Sequence, residues 1–279
     1  MTRMRMYRPT TLGAAAALGL SLAVLPLAPA HAVTFVPCGN VTALRNAITQ
    51  SNTTDEDITL APFCTYTVAT SVGASNGLPA VTGSYSINGY NTTIARSTAS
   101  GTPAFRLFTV ESGGDLTLNS LSVRFGNVPG DSGGGVLVTG GGSTLTVNNG
   151  SVRDNKAGFG GGIRLRTGAS ATLNNALVSG NTATGGGGGI SHAGGTLTVN
   201  YSRIQSNTAG GEGGGLRTEA PAVATLSVSQ VTGNTANGTL QGGGIYEGTG
   251  STVSVVYTNV SGNTPNNCRP VGAVPGCVN

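Results

Sequence analysis

The chain has 279 residues, of which 47 are glycine, only 9% are charged and none is tryptophan, and its formal net charge is +4. Three of the arginines behind that charge, Arg3, Arg5 and Arg8, lie in the first eight residues, and residues 33–279 carry only +1. Basic patches interleaved with aromatics are therefore excluded, and with them a nucleic-acid partner.

The three arginines precede an apolar run from Leu12 to Leu27 and then Pro29-Ala30-His31-Ala32. Charge, apolar run and small-x-small box are the order of a secretory leader, with cleavage expected after Ala32. The apolar run, 16 residues long, is short for a bilayer-spanning helix, so no integral membrane anchor is expected. Residues 33–279, taken as the secreted chain, suffice for one solenoid.

Residues 33–57 read as an N-terminal cap. Within them, residues 41–51 place Leu44, Ala47 and Ile48 at i, i+3 and i+4, a short amphipathic helix suited to covering the end of a stack. Four cysteines, Cys38, Cys64, Cys268 and Cys277, form no C-x-x-C pair, and an even number in an exported chain favours disulfides over a metal. Three pairings are possible. Proximity favours Cys38 with Cys64 and Cys268 with Cys277, one staple at each end.

Residues 58–264 carry a repeat, clearest over 116–264. Two glycines and an apolar residue recur at Val136, Ile163, Ile190, Leu216 and Ile245, spaced 27, 27, 26 and 29 apart. Between them run alternating segments such as Thr144-Leu145-Thr146-Val147. An apolar residue three positions before an asparagine follows, in Val152/Asn155, Val178/Asn181, Ile204/Asn207, Val231/Asn234 and Val260/Asn263. A fixed period of this length with period-2 alternation means a solenoid of short strands, here three per coil and about eight coils in all. The fold class expected is all-β, a right-handed parallel β-helix with a short N-terminal capping helix. Asn155, Asn181, Asn207, Asn234 and Asn263 fall at one corner, where stacked side chains bond backbone and one another as a structural ladder. Residues 265–279, with their cysteine pair, close the other end.

Cys38 with Leu44-Arg45-Asn46-Ala47-Ile48 resembles the opening element of secreted bacterial β-helix proteins of the pectate-lyase-like superfamily, with Asn46 where that element has an acid. Phe63-Cys64-Thr65-Tyr66-Thr67 resembles its first strand. Ser179-Gly180-Asn181-Thr182-Ala183 and Gly187 to Ile190 are similar to polymorphic outer-membrane-protein repeats. Asn267-Cys268-Arg269-Pro270 through Cys277 resembles the C-terminal cap of small actinobacterial relatives. The resemblance implies the β-helix fold and export. It does not imply an activity, because function lives in sites and not in folds.

No catalytic constellation emerges. Gly130-Asp131-Ser132-Gly133-Gly134 spells a serine-protease nucleophile motif, but the sole histidine after residue 32, His192, lies downstream and out of context. Gly73-Ala74-Ser75-Asn76-Gly77 is followed by Leu78-Pro79 where a helix is required. Gly215 stands where a calcium-binding nonapeptide needs its aspartate, and the one lysine, Lys156, completes no phosphate loop. No metal and no cofactor are implied. Asp55, Glu56 and Asp57 read as a solvated loop, and Glu111 with Asp115 at a turn as a weak cation site at best.

The reading that remains is a non-catalytic secreted scaffold, a monomer, binding extracellular polysaccharide, cell wall or another surface partner. Its rival is a small polysaccharide-active enzyme, most plausibly a lyase of acidic polysaccharide. An ice- or surface-binding role is disfavoured on the ground that the threonines do not form flat T-x-T pairs. The candidate ligand face aligns Arg164 and Arg217 two coils apart, with Arg166, Glu219, His192, Tyr246 and Glu247 around them. There a guanidinium pair would hold carboxylates or sulfates. Solvated surface charges, with Glu219 pairing an arginine, are the plainer alternative.

Overall fold

A computed structural model describes residues 33–237 and 241–279. They form an all-β parallel β-solenoid of about nine coils, against the eight that the repeat predicts, with one short helix. The leader and its cleavage position at Ala32 lie outside the described residues.

One coil shows the construction. Strand Thr144–Asn148 reaches a corner at Asn149 and Gly150, and strand Ser151–Arg153 follows. After a second corner at Asp154 and Asn155 come strand Lys156–Phe159, a glycine turn and strand Ile163–Leu165. Every strand pairs in parallel with its copy in the next coil, which stacks the inward residues into columns. Leu145, Ala171, Leu197, Ala224 and Val253 are one such column. Val152, Val178, Ile204 and Val231 form a second, and Val136, Ile163, Ile190, Leu216 and Ile245 a third. All of these are buried, so each coil completes the core of its neighbour.

The coil has four strands where apolar spacing predicts three. The additional column is Lys156–Phe159, Thr182–Ala183, Thr208–Ala209 and Thr235–Ala236. Its inward residues are Ala157, Ala183, Ala209 and Ala236, buried but too small to register as an apolar column. The glycine turns follow from close approach. A Cβ on Gly161 would lie 2.6 Å from the Gly188 carbonyl oxygen, and the preceding Gly160 holds φ +59°.

At the second corner buried asparagines hand hydrogen bonds from coil to coil. Asn155 Nδ2 donates to Asn181 Oδ1 at 3.0 Å, Asn181 to Asn207 at 2.9 Å, Asn207 to Asn234 at 2.9 Å and Asn234 to Asn263 at 2.9 Å. Each acceptor oxygen also takes the backbone N–H of the donor residue. The second Nδ2 proton goes to a carbonyl of the preceding coil, as from Asn207 to Val178 at 3.0 Å. Asn263 continues the chain to Asn267. A second, outer ladder links Asn88, Asn119, Asn148, Asn174 and Asn200 by bonds of 2.8–3.1 Å.

Both ends are covered. Helix α1 (Val41–Thr54) starts at Asn40, whose Oδ1 accepts from Ala43 N–H at 2.9 Å, and stops at Asp55 in the left-handed region. It buries Leu44, Ala47, Ile48 and Ser51 against the first coil, while Val33–Val36 adds a parallel strand beside Asp57–Leu60. Cys38 is bonded to Cys64, with Cα atoms 5.6 Å apart, and Cys268 to Cys277, at 6.3 Å. The C-terminal segment supplies one more strand, Cys268–Arg269, beside Ile245–Glu247.

Candidate functional site

The arginine face lies on the sheet of Val136–Val138, Ile163–Leu165, Ile190–His192, Leu216–Thr218 and Ile245–Glu247. The register aligns Leu137, Arg164, Ser191, Arg217 and Tyr246 on its outer side. The glycine-rich turns fold back over this column. Leu137 and Ser191 are buried, and the Arg164 and Arg217 side chains are only 14% and 15% exposed.

The two guanidiniums are not a free anion clamp. Glu219 sits between them, accepting from Arg164 Nη2 at 3.2 Å and facing Arg217 Nη1. Glu212 faces Arg217 Nε at 3.3 Å, an ion pair without hydrogen-bond alignment. Both arginines also stand 5.7 Å from the centroid of the Phe159 ring. Burial alone would raise the Glu219 carboxyl, but contact with Arg217 and Arg164 outweighs it and holds the group below the usual carboxylate range. Arg166 lies 3.7 Å from Asp131, which Arg106 also contacts. Four arginines and three carboxylates thus close on one another, and the charge expected to meet a ligand is spent internally.

Two more residues of that face point elsewhere. His192 belongs to the inward column with Leu165 and Thr218 and is fully buried. Its Nε2–H donates to the Gly194 carbonyl at 3.1 Å, its Nδ1 has no partner, and burial pushes its pKa down to about 4. A ring at an inward position is wall material for the core, not a ligand contact. Glu247, from the same column, is half-buried and accepts from Val253 N–H at 3.3 Å, while burial raises its carboxyl. Tyr246 stays on the outer side, half-buried between Arg217 and Arg269 in the sheet.

The acidic residues near the N-terminal cap are structural too. Asp55, which is exposed, and Asp57, which is half-buried, also accept the backbone N–H groups of Ser84 and Ser86 at 2.7 Å each. Asp115 lies with them around a shallow cavity of about 330 Å³, bonded to Thr144 and not paired with Glu111 in a cation site. No group of three or more His, Cys, Asp or Glu able to hold a metal exists among the described residues.

A site that the residue types do not announce lies along the first corner. There the chain takes the left-handed conformation in coil after coil, at Asn91, Ser120, Asn149, Asn175, Tyr201, Val228 and Tyr257, with φ between 49° and 53°. The side chains of this column rise as a ridge, and Tyr201 is 68% exposed. Beyond it the chain dips through Gly150, Ala176, Ser202 and Ser229 to the outer residues Ser151, Leu177, Arg203 and Gln230. Two shallow cavities of about 340 and 220 Å³ meet at Leu177 and make one groove along the helix axis. From Asn91 to Val228 it crosses five coil intervals, about 24 Å at the spacing of paired strands. Arg153 and Arg203 line it, and no carboxylate does.

The outer side of the sheet holding Thr144–Asn148 carries two T-x-T pairs, Thr144/Thr146 and Thr196/Thr198, and in register with them the mixed pairs Ser170/Thr172 and Thr252/Ser254. Val223 interrupts one of the rows.

Comparisons of the chain with protein-family models, with curated proteins and with solved structures return no match.

Proposed function

We propose that the protein is an exported, non-catalytic β-helix scaffold that holds an extended extracellular polysaccharide in the groove of the first corner. The observation that carries this reading is the groove's form: straight, shallow, about five coil intervals long and lined by hydroxyls, amides and one exposed tyrosine. A polymer with a short, regular repeat can meet such a wall with the same contacts at successive coils. Tyr201 offers an aromatic face for a sugar ring, and Arg153 with Arg203 favours chains bearing carboxylates.

Export is supported by the leader, by the two disulfides and by the resemblance of the cap and repeats to secreted members of the pectate-lyase-like superfamily. No helix among the described residues is long and apolar enough to cross a membrane. The non-catalytic reading is supported by the engagement of the best-placed titratable groups: Asp131, Glu212 and Glu219 face arginines, and His192 is walled in.

The test is retention of the purified protein on a panel of neutral and acidic polysaccharides, with ultraviolet absorbance recorded for unsaturated product. Retention without product is expected, weakened in Tyr201→Ala and Arg203→Ala and unchanged when Arg164 and Arg217 are both replaced by alanine. Product formation would turn the reading into a lyase. Retention indifferent to Tyr201 and Arg203 would remove the groove.

A further inference from the structure

The outer side of the sheet next to the groove's ridge carries a second regular surface, of different chemistry. Strands Thr144–Asn148, Ser170–Asn174, Gly195–Asn200, Ala222–Ser227 and Thr252–Val256 pair in parallel with no register shift. Thr146, Thr172, Thr198, Thr225 and Ser254 make a straight central row, extended upstream by Thr117. A flanking row holds Thr144, Ser170, Thr196, Val223 and Thr252. Of these ten positions seven are threonine, two are serine and one is valine.

Strand geometry fixes the mesh. Rows repeat at about 4.8 Å across strands, and residues i and i+2 of one strand stand about 6.6 Å apart. The face is rigid, because its inward partners, Val147, Leu173, Val199 and Leu226 among them, are fully buried. The outer Asn148, Asn174 and Asn200 bond one another edge to edge and stiffen its margin.

The chemistry narrows the occupant. No outward side chain on these five strands is charged, and the one carboxylate at their margin, Asp115 beside Thr144, is bonded to that threonine, so the face presents no array of charge to an ionic polymer. None is aromatic either, so the face lacks the stacking platform that a sheet of sugar rings calls for. What it offers is methyl groups and hydroxyls. The hydroxyls of Thr117, Thr146, Thr172, Thr198, Thr225 and Ser254 make no hydrogen bond within the described residues and are free to bond water. A rigid, uncharged grid of alternating methyl and hydroxyl groups orders water instead of scattering it, and its two spacings are close to the oxygen repeats of hexagonal ice.

We propose that this threonine face binds ice, holding lattice water on the rows Thr144–Thr252 and Thr146–Ser254. This goes beyond the polysaccharide reading and uses a different surface, so either can fail alone.

The experiment is partition of the purified protein into a slowly growing ice hemisphere, with thermal hysteresis measured on single crystals. The protein is expected to enter the ice and to shape its crystals, as serum albumin does not. Thr172→Tyr, which puts a bulky ring at the centre of the grid, is expected to abolish both effects. Thr198→Val keeps shape and methyls but removes one central hydroxyl, and is expected to reduce them. The milder variant also serves if the tyrosine variant does not fold. Tyr201→Ala, in the groove, is expected to leave ice incorporation intact. Exclusion of the wild-type protein from ice to the level of albumin would falsify the proposal. So would binding to crystalline cellulose or chitin that is lost in Thr172→Tyr, which would assign the face to a solid glycan.

Discussion

Asn207 accepts twice from Asn181 through a single side-chain oxygen, from its backbone N–H at 3.0 Å and from its Nδ2 at 2.9 Å, in a fully buried corner. Its own Nδ2 serves Val178 O and Asn234 Oδ1. Replacing Asn207 by alanine therefore orphans both Asn181 donors and the Val178 carbonyl at once, while Asn234 Oδ1 keeps only the backbone N–H of residue 207. An unsatisfied buried group costs about 1–3 kcal/mol, so Asn207→Ala is expected to lower the unfolding free energy by at least about 3 kcal/mol. Denaturant titration measures this, and a loss below about 0.5 kcal/mol, the range of an ordinary surface substitution, would show that the ladder contributes nothing beyond shape.

The two disulfides close loops of different length, with separations of 26 and 9 residues. On the chain-entropy model these correspond to about 3.5 and about 2.6 kcal/mol. Replacing Cys38 and Cys64 by serine is thus expected to destabilise more than replacing Cys268 and Cys277. The reverse order in urea would mean that end-cap packing, not loop closure, sets the effect.

His192 makes stability depend on pH. Its folded pKa of about 4 lies below the 6.5 of a free imidazole, so below pH 6.5 the unfolded chain takes up a proton that the folded one refuses. The contribution is fully present above pH 6.5 and is lost as pH falls towards 4, reaching about 2 kcal/mol of lost stability by pH 5. Melts at pH 7 and pH 5 should differ clearly in the wild type and much less in His192→Leu. Asp131 and Glu219 have depressed pKa values, and their stabilisation is lost only at lower pH, as it falls through those values. An unchanged difference between pH 7 and pH 5 in the variant would show that His192 is not its source, and the depressed carboxylates act below that window.

Val228 holds φ 51° at a corner where Asn149 and Asn175 hold 52° and 49°. A β-branched side chain in the left-handed region costs roughly 1–2 kcal/mol that asparagine largely avoids. Val228→Asn is expected to raise the unfolding free energy by about 1 kcal/mol, or a few degrees in Tm for a chain of this size. A fall in Tm would mean that the valine's contacts outweigh its backbone strain.

The solenoid was legible because each of its devices is a residue type with one job. Glycine pairs mark the tight turns, asparagines mark the ladder corner, and alternating Leu and Val mark the inward columns. The fourth strand was not, because Ala157 and its copies carry too little apolar surface to stand out. The candidate face was half legible. Aligning coils on Ile163 and Leu216 places Arg164 and Arg217 in the register the structure shows, with Glu219 as an arginine's partner, but not Glu212 against Arg217, since that depends on where a glycine turn folds back. His192 misled because a polar residue type does not reveal an inward position. The groove was out of reach: it is made by left-handed backbone at Tyr201 and Val228, residue types that normally avoid that conformation.

The asparagine ladder also says how this molecule can change in evolution. Its rungs at Asn155, Asn181 and Asn207 are 26 residues apart, and each makes the same bonds to the next. Removing residues 182–207 would join Asn181 to Thr208 at the start of an equivalent strand and set each column one storey shorter, with both caps untouched. Inserting a copy would do the converse. Reach along the axis is thus a quantity that unequal recombination can adjust in whole steps, without inventing any new contact.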